Sequence, residues 1–155
     1  MQLNQDLLKL ENPAGAIEAV ENFLKGYVQK VAVEGVVFGM SGGLDSSVVA
    51  ALCARALNDR NKVLGLCMPE EGTYNKQNIK DAEHIAEIFD VEFMTVDITQ
   101  VTKAFSANLA VYDPKNRVAN GNLKARVRAV TLYYYSNVLN RLVVGTTDKS
   151  EMMLG

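Results

Sequence analysis

The sequence predicts an α/β protein: a doubly wound parallel sheet with helices on both faces. Three observations predict it. Four short apolar runs rich in β-branched residues recur along the 155 residues. Segments with helical spacing separate them. A glycine- and serine-rich turn joins the first run directly to an apolar helical stretch. Strands alternating with helices in this order form a parallel sheet through right-handed crossovers.

The elements follow in chain order. Pro13 comes after Asn12, pairing a good N-cap with the proline favoured at a first helical position. Ile17, Val20, Phe23, Leu24, Tyr27, Val28 and Val31 then recur at helical spacing, predicting a helix over 13–32. GVVFGM at 35–40 reads as a buried strand. SGGLDSS follows, and an apolar helix over 46–57. A second strand spans 62–68 and stops at Pro69. Residues 75–89 form a helix with Ile79, Ala82, Ile85, Ala86 and Phe89 on one face. A third strand spans 91–96, a helix 99–109, and a polar loop 111–120. A long helix covers 122–140. Leu132, Tyr133, Tyr134, Tyr135, Val138 and Leu139 make it apolar nearly all round, which predicts burial on more than one side. The fourth strand is 141–146.

Composition sets the limits. The length suits one domain. At 48% hydrophobic and 22% charged residues the chain is globular rather than disordered. Sixteen Lys+Arg against eighteen Asp+Glu give a formal charge of −2. That balance argues against a broad nucleic-acid or anionic-membrane surface and leaves room for a local basic pocket. The two cysteines lie inside apolar runs and make no disulfide framework, so a reducing, cytoplasmic setting is expected. No run reaches the ~18 apolar residues of a membrane span, and the first residues lack a signal-peptide layout.

Parallel sheets bind ligands beyond the carboxyl ends of their strands, which directs attention to Ser41-Gly42-Gly43-Leu44-Asp45-Ser46-Ser47. The glycines allow positive φ and let backbone N–H groups approach an anion. The helix start adds N–H donors and partial positive charge, and the three serines add hydroxyls. A Walker loop would need a Lys-Ser/Thr pair, and the dinucleotide fingerprint a Gly-x-Gly-x-x-Gly, and neither is here. Asp45 would repel a phosphate unless a cation stood between them, so it reads as a Mg²⁺ ligand. Arg126 and Arg128 fall at the opening of the predicted long helix, where cations oppose the dipole. At least one of them is therefore expected to be held for an anion. Glu70, Glu71 and Asp81 show no metal-ligand spacing, and His84 reads as a surface residue.

SGGLDS resembles the pyrophosphate loop of the ATP pyrophosphatases, which cleave ATP between its α and β phosphates. That superfamily includes synthetases of NAD, GMP and asparagine and several tRNA-modifying enzymes. GNLKARVR at 121–128 and GTTDKSE at 145–151 are similar to strings of the ammonia-dependent NAD synthetases, and the resemblance runs from about residue 13 to the last. It implies a Rossmann-like fold of the adenine nucleotide alpha-hydrolase type. It also implies that 1–155 is a single ATP-pyrophosphatase domain, cut short at its C-terminus relative to the family.

By the same resemblance, ATP is held by Gly39, Met40, Ser41, Gly42, Gly43, Leu44, Asp45, Ser46 and Thr146, with Asp45 and Ser46 at the catalytic centre. Asp45 and Glu151 are the implied Mg²⁺ ligands, and Arg126 the contact to the deamidated dinucleotide. The implied reaction is amidation of nicotinic acid adenine dinucleotide by ammonia through an acyl-adenylate, giving NAD, AMP and pyrophosphate, in a homodimer. Glutamine-using relatives carry an amidase with a nucleophilic cysteine. Cys53 and Cys67 read as core residues, so free ammonia is the expected donor. Thr147-Asp148 stands where the family commonly has Gly-Asn. Two alternatives stay open: an ATP-binding fragment without full activity, and another ATP pyrophosphatase of the GMP synthetase or tRNA-modifying type.

Overall fold

All four strands pair in parallel, in the order β3-β2-β1-β4, in a computed structural model that describes residues 10–72, 75–148 and 151. The strands are β1 (Gly35–Gly39), β2 (Val63–Cys67), β3 (Glu92–Thr95) and β4 (Arg141–Val143). The helices are α1 (Pro13–Val31), α2 (Leu44–Leu57), α3 (Lys76–Ile88), α4 (Thr99–Ala107) and α5 (Arg117–Val138), with a 3₁₀ turn at Arg60–Lys62. The chain steps outward from β1 to β2 to β3, then crosses back to place β4 on the other side of β1. Such a reversal opens a crevice at the carboxyl ends of the two strands that flank it.

Successive residues of β1 point to opposite faces and feed two cores. Val36, Phe38 and Met40 pack with Val28 of α1, Ala50 and Cys53 of α2, and Ala82 and Ala86 of α3. Val37 packs on the other face with Leu64, Leu66 and Met68, with Ile98, and with Leu123, Val127, Leu132 and Tyr135 of α5. The doubly wound sheet is therefore present, with its predicted elements in their predicted order.

Three boundaries differ. α2 begins at Leu44, so Asp45 lies in its first turn, where the dipole favours an acid. β4 is only Arg141–Val143. α5 begins at Arg117, inside the stretch expected to be a loop. Asn116 Oδ1 accepts the Ala119 N–H (3.0 Å) and caps the helix there, and Asp113 Oδ1 accepts the Lys115 N–H (2.8 Å) just before it. Arg126 and Arg128 consequently sit well inside α5, and the dipole argument applied to them does not hold. Nor is α5 buried on several sides within this chain. One stripe packs on the sheet, while Val130, Tyr133, Tyr134 and Val138 are exposed.

The amino end of the sheet is tied across its width. The Arg141 guanidinium donates to Glu92 Oε2 on β3 (3.1 Å) and to the Asn61 carbonyl (2.7 Å). Removing those charge-assisted bonds with Arg141→Met should cost about 1.5–3 kcal/mol, read as a lower urea midpoint at unchanged slope. A loss below about 0.5 kcal/mol, the range of ordinary surface substitutions, would show that the clamp does not stabilise the sheet.

Candidate functional site

The carboxyl end of β1 passes into a tight turn. The Met40 N–H still donates to the Leu66 carbonyl (2.8 Å), so the strand is held up to the turn itself. Gly42 has φ +80°, and a Cβ there would lie 2.3 Å from the Asn78 carbonyl oxygen of α3. Both the conformation and the space penalise any other residue.

The serines shape this turn. Ser46 is 4% exposed, donates its hydroxyl to the Gly43 carbonyl (3.0 Å) and accepts the Ser41 N–H (3.3 Å). Ser47 Oγ donates to the same carbonyl (2.8 Å), and the Gly43 N–H donates to Ser41 Oγ (3.2 Å). The hydroxyls expected to serve a phosphate directly are thus engaged in fixing the loop.

What the loop presents is backbone. Asn12, Asn75 and Asn116 each cap a helix through the side-chain oxygen, at α1, α3 and α5. At α2 the N-cap is Gly43, and no side chain bonds to the first-turn N–H groups. Those donors and the positive end of the helix dipole face outward at the crevice, an arrangement suited to an anion.

A cleft of about 710 Å³ lies there, within the usual size range of small-molecule sites. Gly39, Met40, Ser41, Gly43, Asp45 and Ser46 line one wall. Cys67 to Glu70 and Asn78 contribute from β2 and α3, Arg128 and Leu132 from α5, and Thr146, Thr147 and Glu151 from beyond β4. The two expected metal carboxylates, Asp45 and Glu151, therefore share one cleft with Thr146.

Glu151 is also oriented. The Asp148 N–H donates to its Oε2 (3.2 Å), while its own N–H donates to Asp148 Oδ1 (2.8 Å), the reciprocal pattern of a capping box. A carboxylate has about four lone-pair sites, so this contact leaves acceptor capacity. No group of three or more potential metal ligands occurs among the described residues. A divalent cation between these two acids would draw its other oxygens from a phosphate ligand and water, the habit of Mg²⁺.

Three expected residues stand apart. Neither Gly42 nor Leu44 lines the cleft, and Leu44 is 79% exposed. Arg126 is exposed, donates to the Asn122 carbonyl of its own helix (3.1 Å), and does not line the cleft.

Two further residues line it: Glu70, which the sequence sets aside for lacking metal-ligand spacing, and Arg128, which it offers beside Arg126 as a candidate to hold an anion. Glu70 pairs with Lys124 Nζ of α5 (2.8 Å), both side chains being largely buried. Arg128 lines the cleft and donates Nε–H to the Met68 carbonyl (3.0 Å). One signal was available. Arg128, Leu132, Tyr135 and Leu139 follow a helical stripe, and the last three pack on the sheet, which marks the inward face of α5. Two residues earlier on a helix, Arg126 points roughly 200° away.

Neither cysteine is a nucleophile. Burial pushes the Cys53 thiol up to about 12 and raises that of Cys67, the latter partly offset by nearby Arg128. At pH 8 a thiol reagent should leave both thiols unlabelled in the folded chain and modify both after denaturation. Rapid native labelling of Cys53 would contradict its place in the core.

Comparison with known proteins bears on this geometry. Residues 16–155 match the family model described as NAD synthase. The NH(3)-dependent NAD(+) synthetase of Methanocaldococcus jannaschii is 43% identical over 140 residues, covering 90% of this chain and 53% of that protein. Its counterpart from Pyrobaculum aerophilum is 47% identical over 133 residues, covering 86% and 49%. Among solved structures, the NH3-dependent NAD synthetase from Campylobacter jejuni superposes with a TM-score of 0.80 at 38% identity, over 90% of this chain and 58% of that one. A glutamine-dependent NAD+ synthetase from Acinetobacter baumannii, solved with ADP, superposes at 0.84 and 28% identity, over 94% and 28%. The chain spans about half the length of the curated relatives it matches.

Proposed function

Because the chain belongs to the NAD synthase family, we propose that it supplies the ATP-handling part of an ammonia-dependent NAD synthetase. In this reading residues 1–155 belong to one ATP-pyrophosphatase domain, a ligase that amidates nicotinic acid adenine dinucleotide. The observation that carries it is the uncapped amino end of α2, opened by Gly42 and Gly43 onto a cleft that Asp45, Thr146 and Glu151 share. The ADP held by the Acinetobacter baumannii relative supports an adenine nucleotide as occupant.

The chemistry sets what the site must do. A carboxylate is a poor acyl electrophile. Its oxygen attacks the α-phosphorus of ATP, the bond to the bridging oxygen of the β-phosphate breaks, and pyrophosphate leaves. Ammonia then attacks the activated carbonyl carbon, AMP departs with the bonding pair, and one proton is lost. No side chain need become covalently attached. The protein holds the reactants in line and places fixed donors where charge develops.

Backbone N–H groups of Gly42, Leu44, Asp45 and Ser46 are suited to receive the departing pyrophosphate, the Gly43 N–H being held by Ser41 Oγ. The bonds of Ser41, Ser46 and Ser47 keep that backbone in shape, so Ser46 acts through the loop. Thr146 faces the nucleotide from the β4 side. Asp45 and Glu151 would hold Mg²⁺, whose charge would offset that of the leaving group.

Arg126, turned away from the cleft, would meet the acid dinucleotide on the outer side of α5. That side carries exposed Val130, Tyr133 and Tyr134, and Val101 and Phe105 of α4 are exposed as well. These are the residues we assign to a homodimer contact. No described helix is long and apolar enough to cross a membrane, and we place the protein in the cytoplasm. The test is the protein incubated with ATP, Mg²⁺, nicotinic acid adenine dinucleotide and an ammonium salt. Equimolar NAD and AMP are expected, with glutamine unable to replace ammonium. ATP binding without AMP formation would reduce the chain to a nucleotide-binding module.

A further inference from the structure

We propose that Arg128 is a phosphate-binding residue of this cleft, donating its terminal N–H groups to an oxygen of the nucleotide's phosphate chain. The inference rests on reading the cleft as an ATP site and adds a residue to it.

Charge within the cleft carries the point. Its described lining includes three carboxylates, Asp45, Glu70 and Glu151, and a single Lys or Arg, which is Arg128. Glu70 is neutralised from behind by Lys124, whose Nζ lies 2.8 Å away. That leaves Arg128 as the cation facing the space where a strongly anionic ligand would lie. A guanidinium has five N–H donors in a planar fork. Among the described residues, the Met68 carbonyl takes one of them, at Nε, and no carboxylate forms an ion pair with it. A half-buried cation without a directly paired carboxylate among the described residues is costly to keep. A phosphate oxygen accepting two parallel N–H bonds would relieve that cost with the geometry arginine suits best.

The side chain is also pre-positioned. Lys124 and Arg128 lie one turn apart on α5, and both tie it to the segment after β2, at Glu70 and at the Met68 carbonyl. That segment is itself fixed to the start of α4. The Ile98 N–H donates to the Pro69 carbonyl (3.0 Å), the Glu71 N–H to Thr99 Oγ1 (2.9 Å), and Lys103 pairs with Glu71. The Nε bond anchors the guanidinium at the cleft wall, so less ordering remains when a ligand arrives.

Calorimetric titration of Arg128→Gln and Arg128→Lys with ATP and with adenosine tests this. For Arg128→Gln, ATP affinity should fall about 10- to 100-fold, the range for hydrogen bonds to charged groups. Adenosine affinity should stay within about threefold, and Arg128→Lys should fall between Gln and wild type because it keeps the charge and loses the fork. Wild-type ATP affinity in both variants would overturn the proposal. So would an equal loss for adenosine, which would make Arg128 part of the wall alone, or a loss confined to the acid dinucleotide. A wild-type protein that binds no ATP would sink the ATP-site reading itself, and this inference with it. Should Arg128→Gln fail to fold, Arg128→Lys binding ATP as tightly as wild type would still refute the role.

Discussion

On the proposed function, Asp45→Ala should lower AMP formation at least ~100-fold, the scale of one lost charge-stabilising contact at a reacting phosphate, while the folded chain survives. Two features separate these effects. Asp45 is exposed in the first turn of α2, so its stabilising part is the dipole interaction, about 0.3–1 kcal/mol. Its other setting is the cleft, which Glu151 also lines. A carboxylate there costs affinity for a polyphosphate unless a cation joins them, so alanine alone should not weaken metal-free nucleotide binding. With Mg²⁺ present the order reverses, because the variant loses the cation's protein ligand.

Glu151→Gln provides the companion measurement. The amide keeps an oxygen able to accept the Asp148 N–H but removes the charge, so the local turn should persist while Mg²⁺-dependent turnover falls. Near-normal adenylation by Asp45→Ala, or nucleotide binding in the presence of Mg²⁺ that is equal in wild type and variant, would defeat the metal assignment for both acids.

The architecture was legible in the sequence because each element announced itself locally. The 35–39 and 63–67 strands are unbroken apolar runs, as strands buried on both faces must be. Asn12-Pro13 marks the start of α1 to the residue. Where the reading failed, the deciding interaction was either small or distant. The cap at Asn116 is one side-chain bond in a polar stretch, outweighed on paper by Pro114 and Gly121, yet it starts α5 early. The turn after β1, which we propose holds phosphate, was legible because its glycines and serines lie within seven consecutive residues.

Glu70 was not, and Arg128 was offered beside Arg126 only on a dipole argument that the early start of α5 removes, since the partners that place both come from other elements. The Arg128 bond spans 60 residues of sequence, and the Glu70–Lys124 pair joins the segment after β2 to α5. The serines show a third kind of limit. Composition identified hydroxyls beside a phosphate site, but only the folded turn shows that they bond to one another and to Gly43.

Gly42→Ala should be strongly destabilising, and Gly121→Ala should act in the opposite direction. At Gly42 a Cβ meets the Asn78 carbonyl oxygen at 2.3 Å and the Ala82 nitrogen at 3.3 Å, with φ at +80°. Left-handed strain at a non-glycine residue costs ~1–3 kcal/mol and overpacking a similar amount. A total near ~3 kcal/mol implies a melting temperature lower by roughly 6–12 °C for a domain of this size. The opposing atoms are backbone of α3, so relief requires the turn or the helix to move. Either movement displaces the N–H groups aimed at the pyrophosphate, and ATP affinity should fall at least about tenfold with the stability.

Gly121 lies inside α5 with nothing within 4 Å of a Cβ. Alanine there should raise stability by about 0.5–1 kcal/mol through helix propensity and a less flexible unfolded chain. The pair distinguishes a generic sensitivity of glycines from the specific requirement of this turn. A Gly42→Ala protein that melts with wild type and binds ATP normally would mean that the loop adapts to its ligand. Preorganisation of the anion cradle, the physical basis of the proposed chemistry, would then have to be abandoned.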